Sequence, residues 1–155
     1  MGEKLNQLYV RGVVAVVVGT ALNFFGDGLL GVNIETFKGI ATFNFLWMLD
    51  VFVVPFFVGW AVAKIFGRKG GKWLACLPPL FVRCLTYGYM YLFVFNDGTD
   101  FFFHLNIYYW GLCVILAVEA ANFGGILAEV MVGAYSRKWQ QTRKRSDAET
   151  LPESN

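Results

Sequence analysis

Three ionisable residues stand inside long apolar stretches of this sequence. Asp50, Arg83 and Glu119 are each surrounded by hydrophobic residues near the middle of such a stretch. A charge inside a membrane span costs about 2.5–3.5 kcal/mol on insertion scales, so it normally has a partner or a function. The planar guanidinium of arginine offers five donors and suits contact with two carboxylates. The sequence therefore predicts a buried cluster near the membrane midplane in which Arg83 joins Asp50 to Glu119.

Three interpretations of these charges remain open. The cluster is a proton or ion path or a polar substrate site, or it is a neutralised group that fixes which helices are neighbours. The structural role is the favoured one of these two. In the third interpretation Pro78 and Pro79 mark the first turn of a helix, where proline is tolerated. Arg83 would then lie at shallow depth and snorkel to the surface, which would leave the two acids without it.

A polar stripe runs along the last apolar stretch. Its members recur at intervals of three or four residues, so they share one helix face. They are Glu119, Asn122, Ile126, Glu129 and Gly133. This face is too polar for lipid, so we expect it to contact other helices, a cavity or a partner protein. The small residues Gly124, Gly125 and Ala128 beside it would allow a second helix to approach closely.

Other chemistry finds little support in the sequence. His104 is the only histidine, so the chain alone cannot supply bis-histidine haem ligation. The three cysteines lie in apolar stretches, and a closed zinc site needs four ligands. We find no Ser/His/Asp set, phosphate-binding loop or nucleic-acid module. The sequence therefore predicts no catalytic, cofactor or metal site and no nucleic-acid partner.

The elements that position these residues are four long apolar stretches. The chain is 57% hydrophobic and 15% charged, whereas soluble domains carry about 25% charged residues. The stretches cover residues 8–30, 39–63, 73–96 and 105–133, and each reaches the roughly 20 residues that a spanning helix needs. Helices satisfy their own backbone hydrogen bonds in lipid. We therefore predict an all-α protein in which residues 1–135 form a bundle of four transmembrane helices with short loops.

Charge placement predicts the orientation of this bundle. All but two of the 13 Lys and Arg residues lie at the start of the first stretch, between the second and third, or after the fourth. The positive-inside rule then places both termini in the cytoplasm. Residues 136–155 form a polar tail that we expect to be disordered, with bases that set topology or contact anionic lipid. Size and topology favour a bacterial cytoplasmic (inner) membrane.

Two further patterns leave alternatives open. Residues 13–22 have the character of a signal-peptide core, and Gly19-Thr20-Ala21 would be its cleavage site. An intact first span is favoured because the apolar run continues through Phe25. The motif FFGDG at 24–28 resembles FNDG at 95–98, which would mark two repeated helical hairpins, as in some transporters. A chance match is the simpler account.

Three functional classes are compatible with this sequence. The favoured one is a non-enzymatic accessory or assembly subunit of a larger membrane complex, because the chain is small, rich in aromatic residues and has a polar helix face. The second is a small oligomeric transporter or channel that uses the Asp/Arg/Glu cluster. An intramembrane enzyme comes third, since a buried acid pair can serve acid–base chemistry. The expected partners are the lipid bilayer and other membrane proteins or a second copy of the chain.

Overall fold

The structure is a computed structural model that describes residues 2–32, 37–94, 107–131 and 133. In these ranges the chain is helical and contains no strand. The helices are α1 (Gly2–Leu30), α2 (Phe45–Met48), α3 (Val54–Phe66), α4 (Gly71–Ala75), α5 (Leu77–Tyr89) and α6 (Ile107–Met131). A 3-10 turn at Gly39–Thr42 and π-helical turns at Leu49–Val53 and Met90–Val94 complete the elements. His104 and the predicted tail, residues 136–155, lie outside the described residues.

Three helical stretches are long and apolar enough to cross a membrane: Asn6–Leu30, Phe45–Phe66 and Ile107–Met131. The prediction of an all-helical protein with membrane-compatible helices is therefore confirmed at this level. The third predicted span is helical in pieces, namely α4, α5 and the π turn Met90–Val94. Pro78 and Pro79 lie in the first turn of α5, where the missing N–H groups have no helical partner to lose.

The second helical stretch is continuous but changes its pitch at Leu49–Val53. Asn44 caps its start by accepting a hydrogen bond from the Trp47 N–H at 2.8 Å. In the π turn the Val54 N–H donates to the Leu49 carbonyl, five residues back. Pro55 follows directly and has no N–H to donate. With the same five-residue spacing, the donor to the Asp50 carbonyl would be the N–H of residue 55. Because that residue is proline, the Asp50 carbonyl has no helical donor.

Helices α3 and α6 pack backbone to backbone through small residues. Gly59 faces the Ala121 carbonyl, and Gly124 faces the Phe56 carbonyl, with no room for a Cβ atom at either glycine. Lipid offers helices no hydrophobic drive to associate, so contacts of this kind dominate helix packing in membranes. The expected role of Gly124 in close helix approach is confirmed. Gly125 allows a similar close approach between α6 and α4, because a Cβ atom there would lie 2.9 Å from the Lys72 Cα atom.

Helix α1 lies against α3 and α5. A Cβ atom at Gly19 would lie 2.8 Å from the Pro78 ring, so α1 approaches α5 closely at this level. Near the other end of α1, a Cβ at Gly26 would lie 2.6 Å from a Val54 methyl group. Gly19 and Gly26 thus allow α1 to lie close to α3 and α5.

We expect Gly124→Ala to destabilise the protein, because the added methyl group overlaps the Phe56 carbonyl. Overpacking of this kind costs about 1–3 kcal/mol. Gly111→Ala on the same helix is the matched control, since nothing lies within 4 Å of its Cβ position. Thermal unfolding in mild detergent measures both variants. Equal unfolding temperatures would contradict the close packing of α3 on α6.

Candidate functional site

Arg83 is the centre of a buried ion cluster. Its Nη2 atom lies 2.8 Å from Asp50 Oδ2 and 3.1 Å from Asp27 Oδ1. The side chains of Arg83 and Asp50 are 2% and 0% exposed, and that of Asp27 is 12% exposed. Burial of the guanidinium between two carboxylates contradicts the interpretation in which Arg83 snorkels. The cluster ties α5 to α1 and to the π turn Leu49–Val53.

The second carboxylate of the cluster is Asp27, and the prediction of Glu119 in this place is wrong. Glu119 lies on an exposed part of α6. Around Glu119, the buried residues of α6 are small ones, namely Ala117, Ala121 and Gly124. A glutamate in place of Ala121 or Gly124 would not fit there without separating α6 from α3, because these two residues pack against the backbone of α3. The polar stripe of α6 is therefore buried at Glu129 and exposed at Glu119.

Asp27 was not predicted as a member of the cluster, because it lies at the end of the first apolar stretch and the cluster was expected near the membrane midplane. Helix α1 ends at Leu30, so Asp27 lies inside its last turn. Asn23, four residues earlier and fully buried, donates from Nδ2 to Asp27 Oδ1 and Oδ2 at 3.3 and 3.1 Å. This asparagine at helical spacing before the aspartate was the available signal.

The backbone of Asp50 also takes part in the cluster. Arg83 Nη2 lies 3.5 Å from the Asp50 carbonyl oxygen, the group that Pro55 leaves without a helical donor. The π turn thus presents both a side-chain oxygen and a main-chain oxygen of one residue to the guanidinium. Single-turn π bulges of this kind occur frequently at functional sites.

The cluster lies nearer one end of the bundle than the midplane that sequence analysis predicted. Asp27 stands one turn before the end of α1, and Asp50 follows shortly after the start of the helical stretch at Phe45. At the same end, Trp47 donates from Nε1 to the Tyr109 hydroxyl at 2.7 Å. The Gly67–Gly70 connection lies at the opposite end of α3. The ion cluster is therefore close to one membrane face if these helices span a bilayer.

Glu129 has a separate, structural position. Its side chain is buried, and Oε1 accepts hydrogen bonds from the Gly70 N–H at 2.8 Å and the Lys72 N–H at 3.1 Å. These amides belong to the start of α4, where helix N–H groups lack intrahelical partners and the dipole favours negative charge. Gly70 adopts φ = 98°, which a residue with a side chain rarely does. Glu129 thus fastens α6 to the beginning of α4.

Asn122, the remaining member of the predicted cluster, lies one turn from Glu119 and is half-buried. Among the described residues its Oδ1 atom is buried without a hydrogen-bond partner. The structure therefore brings together Asp50 and Arg83 of the five predicted residues, adds Asp27, and distributes Glu119, Asn122 and Glu129 along α6.

The ion cluster borders a large apolar groove between α1 and α5. The groove has a volume of about 1070 Å³ and is lined by residues 16–32 of α1 and its end, and by residues 81–90 of α5 and the following turn. Asp27 and Arg83 form part of its wall, and Thr20 and Thr86 supply hydroxyls. Both hydroxyls donate to carbonyls of their own helices, those of Val16 and Val82. The exposed part of Asp27 is consequently the main charged surface available in the groove.

Metal-binding and redox groups do not assemble elsewhere in the described part of the chain. Residues 2–32, 37–94, 107–131 and 133 contain no group of three His, Cys, Asp or Glu side chains placed to hold a metal ion. Cys76, Cys84 and Cys113 are free thiols.

Comparisons with known proteins do not assign this chain to a family. No protein-family model matches the chain, and searches of curated proteins and of solved structures also give no match. Function must therefore be inferred from the groove and the cluster themselves.

We expect Arg83→Leu to destabilise the protein strongly, because it leaves two acids without their shared guanidinium. Breaking a buried ion pair by removing one partner costs about 3–5 kcal/mol. Adding Asp50→Asn should recover a large part of the loss, and adding Asp27→Asn a smaller part, because Asp27 retains some exposure. Thermal unfolding of the single and double variants in detergent measures these effects.

Glu119→Gln in the Arg83→Leu background is the matched control for this series. Glu119 is exposed, so its neutralisation should recover nothing. Recovery by Glu119→Gln together with none by Asp50→Asn would refute the cluster described above.

Proposed function

We propose that this chain is an integral membrane protein with four spanning segments and both termini in the cytoplasm, of the kind found in a bacterial inner membrane. We further propose that it acts as a non-enzymatic accessory or assembly subunit of a larger membrane complex. The groove between α1 and α5 carries this proposal, because it offers a partner a long apolar surface beside a polar contact.

The placement of charge supports the four-span orientation. Lys64, Arg68, Lys69 and Lys72 flank the connection between α3 and α4, and bases concentrate on the cytoplasmic side of membrane proteins. The α4–α5 segment then serves as the third span despite its proline pair and Arg83. Pairing with two aspartates lowers the cost of this arginine in lipid. With this orientation the ion cluster lies toward the outer face.

The residues that line the groove favour a role in assembly over a role in transport. Its described lining comes from α1, α5 and the residues that directly follow them. A path across the bundle would also be lined by α3 and α6. The groove is therefore reached from the side of the protein, which is where a neighbouring membrane protein makes contact.

The alternative function is a small oligomeric transporter or channel, and one observation favours it. Asp27 belongs to the buried cluster and is also 12% exposed in the wall of the groove. Ionisable residues that connect a buried cluster to a cavity are common in ion and proton pathways. An oligomer that encloses the groove between two copies would turn it into such a pathway.

We expect reporter fusions at Gly70 and after Ser146 to report a cytoplasmic location, and a fusion at Gly98 to report the outside. The reason is the charge asymmetry, which supports only this orientation. Paired fusions of alkaline phosphatase and green fluorescent protein at each site measure it. A cytoplasmic signal at Gly98 would contradict the four-span arrangement.

We expect the tagged chain, extracted from its native membrane in mild detergent, to elute with other membrane proteins in fixed stoichiometry. Native mass spectrometry measures the mass of the particle against the 17.5 kDa of one chain. The same tag on an unrelated membrane protein of similar size controls for non-specific association. A particle that contains only copies of this chain would contradict the accessory role and favour the transporter alternative.

A further inference from the structure

We propose that the outer face of α6 binds a transmembrane helix of a partner protein, and that this helix carries a lysine or an arginine that pairs with Glu119. This inference rests on the proposed function and specifies the chemistry of one contact with the partner. The surface differs from the groove between α1 and α5, whose described lining includes no residue of α6.

Glu119 lies at the middle of α6. It is the thirteenth of the 25 residues from Ile107 to Met131, a helix long and apolar enough to cross a membrane. At 1.5 Å per residue it lies about 18 Å from either end of the helix, and the hydrocarbon core of a bilayer is about 30 Å thick. Long lysine and arginine side chains can reach the membrane surface from inside a span, but a glutamate is too short to do so from this depth. When α6 spans a bilayer, the carboxyl group is therefore at its centre.

The carboxyl group is also on the outside of the bundle. Glu119 is exposed, and Ile115 and Phe123, one turn to either side of it, are 61% and 65% exposed. Residues at this spacing share one helix face, so the outer face of α6 is apolar with one acid at its centre. Ionisable residues in membrane helices almost always face the bundle interior or a water-filled cavity, and they pair with other groups there. Glu119 departs from this pattern within the single chain.

No cation among the described residues neutralises Glu119. Arg83 forms its ion pairs with two aspartates, and Lys72 of α4 places its ammonium group over the Trp73 ring. Cys76 interacts electrostatically with Glu119, but its thiol donates to a backbone carbonyl of α4 at 3.4 Å. The charge of Glu119 therefore has no counterpart in the part of the chain that the structure describes.

A cationic side chain on a neighbouring helix matches this carboxylate. Acyl chains offer no hydrogen-bond donor, and an unpaired carboxylate against hydrocarbon is costly. Lysine brings three donors and arginine five, each with the opposite charge. The exposed apolar residues on either side of Glu119 then provide the packing surface on which a second membrane helix lies. Charge and shape thus both fit an apolar helix with one central base.

A second copy of the chain does not supply this base. Arg83 is the only Lys or Arg inside the second, third and fourth apolar stretches, and it is 2% exposed. Arg11 lies five residues from the start of the span Asn6–Leu30, well short of its middle. A symmetric pair of chains joined through this face of α6 would bring two Glu119 carboxylates together, since each copy presents the same patch. The face therefore fits a partner of different sequence.

The test uses the full-length purified chain in phosphatidylcholine vesicles with synthetic transmembrane peptides. The peptides share a leucine–alanine host sequence and differ only at the central position, which is Lys, Leu or Glu. A photoreactive benzoylphenylalanine replaces Phe123, one turn from Glu119. In a matched variant it replaces Phe24 on α1, which is similarly exposed, at 61% against 65%. Crosslinking yield after illumination is the readout, and mass spectrometry identifies each adduct.

We expect the Lys peptide to crosslink at position 123 about fivefold more than the Leu peptide, and the Glu peptide least, in line with measured interhelical polar contacts. Position 24 should show no preference. Glu119→Gln, which keeps the size of the side chain and removes its charge, should abolish the preference for Lys. Glu119→Lys should reverse the order, so that the Glu peptide crosslinks most. Because Glu119 is exposed, Glu119→Gln should fold normally, and it tests the proposal even if Glu119→Lys fails to insert.

Four results would overturn the proposal. Equal crosslinking of the Lys and Leu peptides at position 123 would mean that this face takes lipid or any helix. Adducts between two copies of the chain at this position would identify a homo-oligomer interface. Adducts with residues 136–155 of the same chain would make its own basic tail the occupant. A Lys preference that persists in Glu119→Gln would place the recognition elsewhere. If any of these occurs while the native chain still elutes with stoichiometric partners, the inference on Glu119 fails and the accessory role stands.

Discussion

The contact of Arg83 with two aspartates is the interaction on which the arrangement of the helices depends. Each of these charges would be expensive in the apolar environment of its helix, and each becomes acceptable only when the others are in place. One guanidinium nitrogen meets α1 through Asp27 and the π turn through Asp50. A shift of α5 by one helical turn would separate it from both. The cluster therefore fixes the relative heights of three helical segments.

Helices α3, α4 and α6 are held together by close backbone packing and by hydrogen bonds to one glutamate, without an ion pair between helices in the described residues. Helices α3 and α6 meet through Gly59, Ala121 and Gly124 at backbone distance, and Glu129 anchors α6 to the first turn of α4. These contacts leave no space beside them. Helix α1 touches α5 closely at Gly19 and is joined to it again at Asp27. The groove lies along the outer side of these two contacts, so it is a consequence of how α1 is attached and not a defect in the core.

Particular residues explain how far the sequence predicts this structure. The helices were predictable because long apolar stretches in lipid must satisfy their own hydrogen bonds. The pair of Asp50 and Arg83 was predictable because an isolated charge in such a stretch needs a partner. The place of Glu119 was not predictable from periodicity, since a membrane helix is apolar toward lipid and toward its neighbours alike. Near Glu119 the buried positions of α6 carry small residues instead, namely Ala117, Ala121 and Gly124. The π turn that presents the Asp50 carbonyl to Arg83 was not predicted, although Pro55, which has no N–H to donate, is the residue that could have indicated it.

The shared guanidinium also links assembly to stability. Asp27 and Asp50 both contact the same nitrogen of Arg83, so the position of α1 and the position of the π turn depend on one guanidinium. Any ligand that binds only the folded state stabilises it in proportion to its concentration and affinity. A partner protein bound in the groove between α1 and α5, as the proposed accessory role requires, would hold these two helices together. Without such a partner, the attachment of α1 to α5 depends on the close packing at Gly19 and on the ion pair of Asp27 with Arg83.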